Sequence, residues 1–462
     1  MMRLQLSLAL GVALAAITAC VTQDQRSGPA QPPSGAAARP YGITAWTPPP
    51  AYLGMPVDST GRIPSLLSQT GAFRDLRTMA PAAGLIPYDL IVPFWSDGAA
   101  KVRYMAIPGG TRIGFSPTGE WTFPAGSVFV KTFELPIDAA HPQVRRRLET
   151  RLLVRTGGGV YGVTYKWRAD GSDADLLTDS LTEQIPVRGA DGTVHEQTWY
   201  YPGRKDCLTC HNAQTPGVLG PKTRQLDRDV AYPGGVTDNE LRTLNHLGLF
   251  TPAISDVQLA QFPRLAPATD AARSLDDRAR SYLDANCGHC HRPGGTVANF
   301  DARYDTPLDR QQLIEGPVLI DQGIDRPRII SPHDIWRSIA FMRADTNGDI
   351  RMPPLARNTV DEPGMALLKS WIESMPGKDV LAPPQILPAA GSFDTPVEVT
   401  LSSPDAGARI HYTLDGSTPT LQDPLYRGPI RITAATVVRA RAYRDGATRS
   451  ITAQSVFVVG GR

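Results

Sequence analysis

Cys207-Leu208-Thr209-Cys210-His211 and Cys287-Gly288-His289-Cys290-His291 are two five-residue stretches with a single spacing, C-x-x-C-H. They hold four of the five cysteines in 462 residues, and a histidine follows the second cysteine both times although the chain has only 8 histidines. Two thiols about one helical turn apart can each add to one of the two vinyl groups on the same porphyrin edge, and the adjacent imidazole can then reach the iron. This spacing is the attachment signature of c-type haem. Cys207, Cys210 and His211 are therefore expected to hold one covalently attached haem c, and Cys287, Cys290 and His291 a second, with His211 and His291 as iron ligands. Two C-x-x-C pairs can also bind zinc or close as disulfides. The gap between these pairs far exceeds the ~15–20 residues of a zinc ribbon, and neither alternative accounts for a histidine in the same place twice.

Outward from the second motif, Ser274 reads as a helix N-cap with Asp276 and Asp277 in the first turn. Leu275, Ala279, Tyr282 and Leu283 recur at helical spacing into Cys287. Asp361 and Glu362 open another helix, in which Leu367, Leu368, Trp371, Ile372 and Met375 form one apolar stripe, and Arg351-Met352-Pro353-Pro354 lies between the two helices. In this order of helix, haem motif, loop, Met-Pro and helix, residues 269–376 resemble the mono-haem cytochrome c fold. The resemblance implies Met352 as the sixth ligand of the second iron, a weak thioether donor that favours Fe(II) and raises the reduction potential.

The first haem region, 201–268, is less well specified. Its sixth ligand would be His246 on an otherwise apolar helix around Thr237 to Leu247, an upstream Met105 or Met79, another histidine, or nothing. An open iron binds small molecules or peroxide, whereas a six-coordinate one mainly passes electrons.

The chain starts with a short basic step, Met1-Met2-Arg3, and an apolar run from Leu4 to Ala16. That run is shorter than the ~20 residues of a permanent span and suits a secretory leader. It ends in Ile17-Thr18-Ala19-Cys20, which resembles the bacterial lipobox. The resemblance implies a signal peptide over 1–19 and lipidation of Cys20, with Val21 favouring the outer membrane. Residues 20–42 read as a flexible tether. A periplasmic, lipid-anchored location agrees with haem attachment outside the cytoplasm.

Residues 43–200 read as β-rich. Ser127 to Phe133 follows a Pro-Ala-Gly turn, and Leu148 to Thr156 and Gly159 to Trp167 form a hairpin across Gly157-Gly158. Pro93 to Tyr104 is polar and aromatic, and Trp95, Asp97, Lys101 and Arg103 read equally as a wall over the first haem or as a solvated strand edge. Together with Phe123-Pro124-Ala125-Gly126 and the two haem motifs, this region resembles a family of exported bacterial dihaem c-type cytochromes of poorly defined role, over about Ile43 to Ser374. A Pro-rich linker is read at 377–387. In 388–462, Val397 to Leu401, Arg409 to Leu414, Pro429 to Thr433, Val437 to Tyr443 and Ala453 to Val459 alternate as short strands. Tyr412 to Pro419, with Tyr426 and Gly428-Pro429-Ile430, resembles the immunoglobulin-like C-terminal domain of chitobiases and β-hexosaminidases; no paired glycosidase carboxylates accompany it.

The expected fold class is multidomain α+β, with an N-terminal β-rich domain, a central, mostly α-helical cytochrome c-type haem region and a C-terminal Ig-like β-sandwich. The net charge of +2, without a basic block, argues against nucleic acid as a partner. The expected function is electron relay to or from a redox protein partner, with the membrane reached through the lipid anchor. The rivals are a peroxidase-like dihaem enzyme with an open first iron and an envelope or glycan-docking protein with accessory haems.

Overall fold

In a computed structural model of the chain, the described residues are 39–212, 215, 217–295, 299–355 and 357–460. The leader and Cys20 lie outside them. No helix of the described residues is long and apolar enough to cross a membrane.

The N-terminal part is organised by a six-stranded antiparallel meander whose spatial order follows the sequence: β1 (Ile86–Pro87), β2 (Ala100–Ala106), β3 (Val128–Pro136), β4 (Arg145–Arg155), β5 (Val160–Trp167) and β6 (Ala174–Leu176). Strand alternation divides its two faces. Val128, Val130, Leu152, Val154, Val163 and Tyr165 enter one core with Leu67 and Phe73. The opposite face carries Arg103, Met105, Phe129, Lys131, Arg151, Leu153 and Gly162, placed side by side by the strand register. A hairpin of β7 (Leu181–Arg188) and β8 (Val194–Tyr201) follows.

The expectation of a mostly helical centre fails. Between Tyr201 and Met375 the described helices include α1 (Arg204–Cys210), α2 (Glu240–His246), α3 (Leu275–Asn286) and α4 (Glu362–Ser374), and only α3 and α4 exceed seven residues. Between them the chain runs mainly as turns and loops. Prolines 293, 307, 317, 327 and 332 and glycines 294, 295, 316 and 323 interrupt any helical period there. The protein is thus mainly β, spread over several small sheets, and Tyr41–Arg462 forms one compact unit.

The capping reading does describe α3 and α4. Ser274 accepts from Asp277 N–H, and Asp361 accepts from Gly364 N–H. The two helices pack closely: a Cβ on Gly364 would lie 2.4 Å from the Tyr282 ring, and Trp371 Nε1 donates to Asp276 at 3.1 Å.

At the C-terminal end, β9 (Gln385–Leu387), β11 (Val397–Ser402) and β13 (Ile430–Ile432) form one sheet. β10 (Gly391–Phe393), β12 (Arg409–Thr413), β14 (Thr436–Tyr443) and β15 (Ala453–Val459) form the other. Val399, Leu401, Ile432, Val438, Ala440 and Phe457 are buried together. The preceding segment is held as well: Leu381 is buried and its N–H donates to the Thr448 carbonyl at 3.0 Å. Asp325 receives three arginines, Arg337 and Arg441 at 3.2 Å and Arg449 at 3.4 Å.

Candidate haem-binding site

The first motif leaves the sheet abruptly. After β8, Pro202 and Gly203 end the strand, and α1 starts at Arg204. Asp206 fixes this start, accepting from Gly203 N–H at 2.8 Å and from the Tyr200 hydroxyl at 2.7 Å. His211 N–H donates to the Cys207 carbonyl at 2.9 Å, and in the second motif His291 N–H donates to the Cys287 carbonyl at 2.8 Å. Both motifs are therefore single helical turns, the form in which residues i and i+3 share a side.

Cys207, Cys210 and His211 border a cavity whose floor is the sheet face carrying Arg103, Phe129, Lys131, Arg151 and Leu153. Its remaining walls include Tyr88, Leu90, Phe94, Val218 and Leu219, and from the second motif's side Asp284, Gly288 and His289. Apolar and charged side chains share this lining. Gly162 is a cradle for the first thiol: a Cβ there would lie 2.6 Å from Cys207 Sγ.

His211 is oriented as a metal ligand needs. Its Nδ1 stands 2.7 Å from the Gly217 carbonyl, which can only accept, so Nδ1 carries the proton and the neutral ring keeps its lone pair on Nε2. Burial pushes this imidazole down to about 4, which keeps it neutral at physiological pH. His291 is also pushed down to about 4, by burial and then by the charges of His289 and Arg343. Its ring stacks on Phe300 with centroids 4.2 Å apart. Burial raises the Cys287 thiol to about 12.

Met352 is half-buried, and its N–H donates to the carbonyl of Arg343, the same residue whose charge acts on His291. From the same loop, Leu355 reaches the cavity wall. His246 is exposed and stacks on Tyr41 at 3.6 Å, away from the cavity lining. Met79 packs against the opposite face of the sheet, and Met105 is fully buried beside Tyr88 and Phe129. Besides His211, the cavity wall carries one other histidine among the described residues, His289.

The two motifs meet. Ligand atoms of Cys210, His289 and Cys290 all lie within 4.8 Å of one another. The nearness of the two thiols raises Cys210 and lowers Cys290. Their approach was not legible in sequence, because it depends on α3 docking beside the sheet.

The segment Trp95 to Arg103 divides in role. Trp95 N–H donates to Asn286 at 2.8 Å and its indole to the Thr359 carbonyl at 3.1 Å. Buried Asp97 accepts from the backbone N–H groups of Asn358 and Thr359 at 2.7 and 2.8 Å. These two brace the second motif's helices against the sheet, while Phe94 and Arg103 line the cavity. Lys101 is drawn down to about 7 by burial and by the neighbouring Arg103 and Arg151.

Residues 388–454 match the chitobiase/beta-hexosaminidase C-terminal domain family. No curated protein and no solved structure matches the chain.

Proposed function

We propose that the chain is an exported dihaem c-type cytochrome that relays electrons between redox partners, anchored to the outer membrane through Cys20. The observation that carries this reading is the cavity bounded by Cys207, Cys210 and a His211 whose Nδ1–H is committed to Gly217, so that Nε2 remains for iron. Cys207 and Cys210 would hold the first haem by thioether bonds with His211 as ligand; Cys287, Cys290 and His291 would hold the second, with Met352 as its further ligand. A bound haem supplies an iron that takes up and returns one electron. The protein's own part is to fix the imidazole tautomer and hold the two attachment turns side by side. The approach of Cys210 to Cys290 favours transfer between the two centres. His289 on the cavity wall offers a second nitrogen for the first iron, which favours relay over a peroxidase-like open site. The C-terminal module serves for spacing or docking, with an envelope glycan as one surface it could meet.

One observation favours a second reading. Cys210, His289 and Cys290 form a thiolate and imidazole set of the kind that binds zinc. It leaves Cys207, Cys287, His211 and His291 without a role. Mass spectrometry and metal analysis of protein made with haem-maturation machinery separate the two: the cytochrome carries two covalent haems and two irons, and the alternative carries the bare polypeptide mass and one zinc. Loss of both metals would overturn both readings.

A further inference from the structure

The floor of the cavity carries a charge pattern that the sheet does not balance. Arg103 on β2 pairs across to Lys131 on β3, and Lys131 pairs across to Arg151 on β4. Three cations therefore stand side by side on neighbouring strands, and all three line the cavity. Like charges directly opposed in a sheet are destabilising. The outer two have carboxylates: Asp89 pairs with Arg103, and Glu149 binds Arg151 through two hydrogen bonds of 2.9 and 2.6 Å. Among the described residues no carboxylate pairs with Lys131, whose ammonium lies 4.7 Å from the Phe133 ring. Burial and the neighbouring Arg103, Lys101 and Arg151 hold this lysine well below its ordinary range. The other lysine of the cavity wall is matched, Lys222 with Asp284 at 2.6 Å.

We propose that Lys131 and Arg103, the members of the row farther from the attachment cysteines, are the seat of the propionate carboxylates of the first haem, with Lys131 as the anchor. This rests on the haem reading of Cys207, Cys210 and His211. The vinyl-derived attachment and the propionates occupy opposite halves of a haem. Cys207 packs on Gly162 of β5, three strands from Arg103, which is ~14 Å at the ~4.8 Å spacing of neighbouring strands. A macrocycle tied over β5 and lying across this face directs its far edge past Arg151 toward Lys131 and Arg103. Two carboxylates there would supply the negative charge that Lys131 lacks.

The test uses full-length holoprotein. The first haem is identified as the one lost in the Cys207→Ala/Cys210→Ala protein. In Lys131→Gln, removal of a nearby positive charge favours the ferric state. The ferric-to-ferrous ratio of the first haem at fixed potential rises about tenfold, a fall of ~59 mV for a one-electron couple. Lys131→Arg keeps the wild-type potential and provides the comparison if Lys131→Gln folds poorly. Two loaded haems with an unchanged first-haem potential in Lys131→Gln would overturn the propionate seat alone. A wild-type potential that shifts with added phosphate at constant ionic strength would mark the row as a free-anion site and overturn it too. Haem-free wild-type protein would overturn both this proposal and the reading beneath it.

Discussion

The two C-x-x-C-H turns share a backbone bond from histidine N–H to the first cysteine carbonyl, yet their surroundings differ in kind. The first sits on a β-sheet floor, with Gly162 clearing space for its thiol and an open cavity before its imidazole. The second follows a capped twelve-residue helix, with its imidazole stacked on Phe300 and its half-buried first cysteine packed against the core shared by α3 and α4. One local motif has been placed in two scaffolds. The difference teaches that the turn specifies how a porphyrin would be attached, while the scaffold specifies its environment, including charge, solvent access and the opposite ligand.

The largest expected effect comes from removing one pair of thiols at a time. Cys207→Ala/Cys210→Ala and Cys287→Ala/Cys290→Ala should each lose one covalent haem by mass and retain the other; loss of both from either variant would mean that the sites are not independent. Met352→Ala should next lower the potential of the second haem only and alter its spin state, read by spectroelectrochemistry. An unchanged spectrum would remove Met352 from the iron. Smaller effects separate the scaffolds themselves. Gly162→Ala should cost ~1–3 kcal/mol through overpacking and reduce haem occupancy at the first site, because its Cβ meets Cys207 Sγ. Gly364→Ala should cost a similar amount but act through Tyr282 on the helix pair around the second site. Denaturant midpoints together with haem stoichiometry check both.

A pH dependence is also expected in the first scaffold. Burial raises the Glu240 carboxyl to about 8, with Asp89 and Arg103 among its neighbours. The folded state holds this proton more tightly than the unfolded chain. Its contribution to stability is therefore full below the ordinary value of 4.5 and is lost as pH rises through about 8. Glu240→Gln should flatten that part of the stability profile, as measured by urea unfolding between pH 5 and 9.

Local chemistry was legible in the sequence, and long-range placement was not. Alternation located β3 to β5 and most of the C-terminal strands to within a few residues, because one buried face imposes a period of two. Ser274 and Asp361 announced their helices through side-chain caps. The helical centre was overread: two good helices, α3 and α4, were extended in expectation to a region whose prolines and glycines favour loops. Asp97 reads equally as a wall over the first haem or as a solvated strand edge, but it is buried and its bonds run to Asn358 and Thr359, partners far away in sequence that no periodicity could reveal. The row from Arg103 to Arg151 was hidden for the same reason, since its members meet only through strand register.

Asp325 lies between Arg337 on one side and Arg441 and Arg449 of the C-terminal sandwich on the other. This carboxylate works as a clasp, together with the Arg337 hydrogen bond to the Arg449 carbonyl at 3.2 Å. In the proposed electron relay, whatever surface captures the sandwich would hold the haem-bearing part at a set angle, so that the way the protein is moored would also decide which flank it presents to an electron donor.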